Sequence, residues 1–119
     1  MKLSFSELRE LFAHPVPVVT APSDNGMSGK YVLVRCRDAG VHVGVLVGHI
    51  GRECVLTDSR RLWYYKPLKG AWLSAVAIHG IDTDSKVGAP VERIHLTETC
   101  EIILCSTASE GTLRNQASH

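Results

Sequence analysis

The chain has 119 residues, with 13 lysines and arginines against 12 aspartates and glutamates, so its formal net charge is only +1. A hydrophobic fraction of 45% and a mean hydropathy of +0.04 are typical of a soluble globular domain and exclude a disordered chain. No apolar run approaches the roughly 18 residues of a membrane span, and the first residues do not resemble a signal peptide. With only four cysteines, we expect one cytoplasmic domain with reduced thiols.

The whole chain, residues 1–119, is expected to form this single domain. An N-terminal helix and loop occupy residues 1–29, a β-rich core residues 30–106, and a tail the remaining residues 107–119. The helix is predicted over residues 4–14, from a capping box of Ser4 and Glu7 to Pro15, because its apolar residues recur at helical spacing.

From Tyr31 onward the apolar residues alternate with a period of two, which is typical of β-strands. Strands are predicted over residues 31–37 and 41–47, joined by a hairpin turn at Asp38-Ala39-Gly40. A third strand covers residues 53–57, and after a corner at Asp58-Ser59 a fourth covers residues 61–66. Consecutive strands with short connections predict an antiparallel meander, and glycines within the second strand favour a strong bend.

The second half of the predicted core contains one short helix and two further strands. Five apolar residues recur at helical spacing before Gly80, a residue type expected at a helix end: Leu68, Trp72, Leu73, Val76 and Ala77. This spacing places Trp72 in the core. Strands follow over residues 91–96 and 100–105, and the polar tail after Ser106 is expected to fray. The fold class is α+β: a strongly bent antiparallel sheet with an N-terminal helix and one internal helix.

Charge is unevenly distributed along this nearly neutral chain. Residues 30–69 contain eight basic and three acidic residues, whereas the rest of the chain contains five basic and nine acidic ones. One explanation is an anion site for phosphate or nucleic acid. The other is that exposed lysines and arginines protect the edges of the sheet.

Motifs for catalysis and metal binding are missing from the sequence. The cysteines form no Cys-x-x-Cys pair, and their strand positions favour a role as small apolar residues, so no metal or cofactor is expected. The histidines are interpreted as surface or hydrogen-bonded residues, except that His79, beside Gly80, is kept as a candidate ligand-binding residue. No nucleophile elbow, phosphate loop or acid–base pair is recognisable, which argues against an enzyme.

Two adjacent arginines are followed, after one leucine, by three aromatic residues in the segment Asp58-Ser-Arg-Arg-Leu-Trp-Tyr-Tyr65. Guanidinium groups bind phosphate oxygens in a bidentate manner, and aromatic rings offer faces on which a base stacks. Strand alternation sends Arg61, Trp63 and Tyr65 to one face and Arg60 to the other. The alternative is that Trp63 belongs to the core and the arginines form its rim.

Four stretches of the chain resemble a family of small bacteriophage proteins. They are residues 39–46 (AGVHVGVL), 55–63 (VLTDSRRLW), 73–80 and 91–105. The layout is also similar to that of phage Thoeris anti-defence sponges, which capture a cyclic ADP-ribose signal without cleaving it. The resemblance implies a β-rich homo-oligomer with two short helices that binds nucleotides through arginine and aromatic side chains.

Two functional hypotheses follow. The first is a phage-encoded, non-enzymatic protein that sequesters a cyclic nucleotide or cyclic ADP-ribose immune signal of the bacterial host. The second is a phage inhibitor that binds a host defence protein or a nucleic acid, as anti-CRISPR proteins do. The candidate ligand-binding residues are Arg60, Arg61, Trp63, Tyr65, Arg35, Arg37 and His79.

Overall fold

The computed structural model describes residues 26–119, so the helix predicted over residues 4–14 lies outside the described range. Within that range the chain is α+β. Its elements in chain order are β1 (Tyr31–Cys36), β2 (Val41–Ile50), β3 (Glu53–Tyr64), α1 (Trp72–His79), β4 (Lys86–Val87), β5 (Val91–Leu96), β6 (Thr99–Leu104) and α2 (Thr107–Asn115). None of the helices in the described range is long and apolar enough to cross a membrane.

The six strands form one sheet with the order β4–β3–β2–β1–β6, and β5 pairs with β3 beside β4. All of the named strand pairs are antiparallel, as the meander predicts. The prediction of a strongly bent sheet is wrong: the sheet is not strongly curled. Its irregularities are local shifts of register, two of which lie between β2 and β3.

The predicted corner at Asp58-Ser59 is wrong, because these residues lie inside β3, a single strand of 12 residues. Val43 pairs with Arg60 and Val45 with Thr57, so two residues of β3 face one residue of β2. Asp58 takes a positive φ of 53° at this bulge. Aspartate and serine are common in turns, but here the strand accommodates the extra residue without ending.

Two apolar clusters lie on opposite faces of the sheet, because neighbouring residues of β1 contribute to different clusters. The first cluster lies between the sheet and the helices and includes Tyr31, Leu33, Val43, Leu62, Val76, Ala77 and Leu113. The second includes Val32, Val34, Leu46, Cys54, Leu56 and Leu96. Cys36, Cys54 and Cys105 are buried as free thiols within these clusters, which confirms that they pack as small apolar residues.

Helix α1 confirms the predicted internal helix and its end at Gly80, but not the position of Trp72. Val76 and Ala77 are buried and Leu73 packs beside them. Trp72 starts the helix with a φ of 73° and is 77% exposed. The apolar spacing that placed it in the core began before the helix does, at Leu68, so the predicted helical face was extended too far.

The tail beyond Ser106 does not fray as predicted but forms α2. The Ser106 hydroxyl caps the helix by accepting a hydrogen bond from the Ser109 N–H at 3.0 Å. The Ser109 hydroxyl in turn donates to the Val76 carbonyl at 2.7 Å, which ties α2 to α1. Only Leu113 supplies a buried apolar side chain, so apolar periodicity gave no helical signal, whereas the serine cap did.

Candidate functional site

Arg60 lies inside the protein and is only 5% exposed. Its Nε donates to the Gly88 carbonyl at 2.8 Å, and its Nη2 donates to the Ser118 hydroxyl at 3.1 Å. Its Nη1 donates to three carbonyls at the end of α2, those of Leu113, Arg114 and Gln116, at 2.9, 3.3 and 2.8 Å. The guanidinium therefore holds the end of α2 against β3, and we leave Arg60 out of the candidate site.

Arg61 points to the opposite, exposed face of β3. Its Nη1 donates to the Ala39 carbonyl at 2.9 Å, in the turn between β1 and β2. A guanidinium has five N–H donors, so this bond leaves others available to a ligand. The anchored nitrogen also restricts the side chain, which lowers the entropy lost when a ligand binds.

Trp63 follows two residues later, where the pairing of β3 with β4 shifts register, and is 54% exposed, so it is not a core residue. Its ring centroid lies 4.7 Å from that of His119, with an angle of 60° between the planes. This edge contact leaves over half of the tryptophan surface open. We call Arg61, Trp63 and His119 together the Arg61–Trp63 surface.

Tyr65 does not join this surface, although strand alternation predicted it there. The pairing of β3 with β4 shifts register between Leu62 and Tyr64, and Tyr65 packs against the first apolar cluster. Tyr64 is instead the exposed tyrosine, at 48%. Simple alternation fails here because the two steps along β3 from Leu62 to Tyr64 match only one step along β4, from Val87 to Lys86.

The other three candidate residues lie elsewhere. Arg35 Nε donates to Glu101 Oε2 at 2.8 Å, in a pair in which both side chains are about half exposed. Arg37 is exposed beside the turn that also holds Ala39. His79 ends α1, and within residues 26–119 no hydrogen bond or ring contact joins it to the Arg61–Trp63 surface.

His42 is a buried neighbour of the site that sequence analysis did not single out. It pairs with Arg61 across β2 and β3 and is 1% exposed. Its Nε2 lies 3.0 Å from the Ala39 carbonyl, the group that also accepts from Arg61. Burial lowers the pKa of His42 below its ordinary value of 6.5. The hydrogen bond to the Ala39 carbonyl raises this pKa in part, and the Arg61 charge lowers it further. The neutral ring therefore supports the turn that anchors Arg61.

The lowered pKa of His42 predicts a loss of stability in acid. The unfolded chain takes up a proton near pH 6.5 while the folded ring stays neutral, so stability is complete above pH 6.5 and falls as the pH drops toward the lower, folded-state value. Thermal unfolding at pH 7.5 and 5.5 measures this effect. We expect a smaller decrease for His42→Gln, whose amide donates without titrating. Equal decreases in the two proteins would contradict the assignment.

Within the described residues, no group of three or more histidine, cysteine, aspartate or glutamate side chains is placed to hold a metal ion. A search of curated proteins finds no match to the chain. A family model described as a domain of unknown function, DUF6948, matches residues 29–113 and carries no link to phage or to nucleotide sponges. The match begins just before β1 and ends in α2, so it covers the sheet, α1 and most of α2. The chain therefore belongs to the DUF6948 family.

Proposed function

We propose that the protein binds a small anionic ligand of the nucleotide class at the Arg61–Trp63 surface. The observation that carries this proposal is that β3 exposes an anchored guanidinium at Arg61 and, two residues on, an open indole ring at Trp63. Two residues of a strand span about 6.5 Å, so a ligand with both a phosphate and a planar base meets both side chains.

The biological role we propose is sequestration of a cyclic nucleotide or cyclic ADP-ribose immune signal without turnover. Its support is the resemblance of the sequence to phage sponge proteins together with this surface. Binding of this kind needs donors and a stacking face but no nucleophile. Ligand that is taken up, and then recovered chemically unchanged after heat denaturation, would support sequestration. Recovery of a cleaved product would support an enzyme instead.

Arg61→Ala and Trp63→Ala should each weaken nucleotide binding by about 1–3 kcal/mol, or roughly five- to 150-fold. Isothermal titration with a panel of cyclic nucleotides and cyclic ADP-ribose isomers measures the affinities. Arg52→Ala is the matched control, because Arg52 is an exposed arginine at the opposite end of β2. Unchanged affinity in Arg61→Ala, or an equal loss in Arg52→Ala, would contradict the site.

The second candidate function is binding of a nucleic acid or an acidic surface of a host protein. It is favoured by several exposed cations that have no carboxylate partner within residues 26–119, among them Arg37, Arg52 and Lys69. Binding to a polynucleotide should weaken steeply with salt, because several counterions are released. A ligand with one or two charges should show a shallow dependence, which separates the two functions.

A further inference from the structure

The outer edge of β6 is unpaired within the described part of the chain, because β6 ends the strand order and pairs only with β1. The Cys105 N–H donates to the Tyr31 carbonyl at 3.0 Å, and hydrogen-bonded pairs alternate along an antiparallel ladder. The backbone groups of Ile102 and Leu104 therefore point away from β1. They present two N–H groups and two carbonyls to a further strand.

Hydrogen bonds on the other side of β1 support this orientation. The Leu46 N–H donates to the Lys30 carbonyl, and the Cys36 N–H donates to the Gly40 carbonyl. Even-numbered positions of β1 therefore face β2, and odd-numbered positions face β6. Since Val32 pairs with Leu104, the groups of Leu104 lie on the free side.

The β6 edge lacks the features that normally prevent strands from pairing between molecules. Exposed strands are protected by lysine, proline or unpaired charges. β6 has the sequence TCEIIL, and its only charge, Glu101, is already paired with Arg35. Leu104 is 49% exposed, and the 58% exposed Ile78 is linked to the end of β6 because its carbonyl accepts from the Ser106 hydroxyl at 2.7 Å.

By contrast, β5 (VERIHL) exposes Glu92, Arg93 and His95, so it is protected by charge.

We propose that β6 pairs antiparallel with β6 of a second copy of this chain, across a two-fold axis at Ile103. This register places Leu104 opposite Ile102 of the other copy and keeps apolar residues together. A register centred on Glu101 would set two carboxylates opposite each other, which is unfavourable. The resemblance to phage proteins implies a homo-oligomer without identifying its interface, and this edge supplies an interface that does not depend on the Arg61–Trp63 surface.

A pair of proline variants tests the interface. Leu104→Pro removes an outward N–H and no bond to β1, so the protein should stay folded while dimer affinity falls at least 100-fold. Ile103→Pro removes an N–H that points to β1 and should unfold the domain. Light scattering after size exclusion should give the wild type twice the chain mass of 13.0 kDa, and Leu104→Pro the single mass. Leu104→Lys should also be monomeric, and it decides the matter if Leu104→Pro does not fold.

The register is tested by oxidative cross-linking of Ile103→Cys in a Cys100→Ser background, which should yield a disulfide-linked dimer. A wild-type protein that is monomeric at all concentrations would overturn the proposal. So would a Leu104→Lys protein that remains dimeric, or a dimer in which Ile103→Cys does not cross-link. Nucleotide titration of monomeric Leu104→Lys separates this proposal from the proposed function, because binding at Arg61 and Trp63 does not require β6.

Discussion

Replacing Arg60 by methionine should lower the free energy of unfolding by roughly 3–5 kcal/mol. The guanidinium donates five hydrogen bonds, three of them to the carbonyls of Leu113, Arg114 and Gln116. The last carbonyls of a helix have no partners within it, and α2 ends at Asn115 with Gln116, not a glycine, as its C-cap residue. Arg60 supplies those partners and places a positive charge at the negative end of the helix dipole.

Urea unfolding of Arg60→Met, with Arg61→Met as its matched control, measures this contribution. We expect the Arg61 substitution to change the free energy of unfolding by less than about 0.5 kcal/mol, as is usual at exposed positions. Arg60→Lys should remain strongly destabilised, because an ammonium has three donors on one nitrogen and cannot reproduce a planar fork. Equal unfolding midpoints for Arg60→Met and Arg61→Met would contradict this division of roles.

The second large effect is expected for Gly80→Ala, which should lower the free energy of unfolding by about 3 kcal/mol. Gly80 has a φ of 94° and a ψ of −170°, a conformation essentially restricted to glycine. An added Cβ would lie 2.5 Å from Thr112 Oγ1 and 2.9 Å from its Cγ2. Thr112 cannot move away freely, because its hydroxyl accepts from the Ile81 N–H and donates to the Ser109 carbonyl.

A double-mutant cycle with Thr112→Ala separates the two causes. Removing the Thr112 side-chain atoms relieves the contact but leaves the backbone strain, so Gly80→Ala should cost about 1 kcal/mol less in the Thr112→Ala background. Denaturant unfolding of the four proteins gives the cycle. A Gly80→Ala protein as stable as the wild type would show that α1 and α2 are not packed as described.

The strands and α1 were predictable because their signals are local. Alternation of apolar residues gave β1 and β2, a turn sequence gave their hairpin, and Gly80 gave the end of α1. The continuity of β3 through Asp58 was not predictable, since an aspartate-serine pair is equally typical of a turn and of a bulge. Helix α2 was missed because tertiary hydrogen bonds from Arg60 and Ser109 support it more than an apolar face does.

The candidate site shows the same difference between local sequence signals and tertiary contacts. Alternation correctly separated Arg61 from Arg60, but the sequence did not tell which of the two was buried. That answer depends on where the end of α2 packs, 53 residues away along the chain. Tyr65 was assigned to the wrong surface because the register of β3 shifts between Leu62 and Tyr64, and Arg35 was assigned without its partner Glu101.

The fluorescence of Trp63 tests the nucleotide proposal most directly, because the ring itself is expected to contact the base. In the Trp72→Phe variant, Trp63 is the only tryptophan, and the substituted residue is 77% exposed and away from the core clusters. Titration with cyclic nucleotides and cyclic ADP-ribose isomers should quench this fluorescence saturably for at least one ligand, and Arg61→Ala should shift the midpoint at least fivefold. Saturable binding by calorimetry without any change in Trp63 fluorescence, or no binding across the panel, would contradict the proposed site.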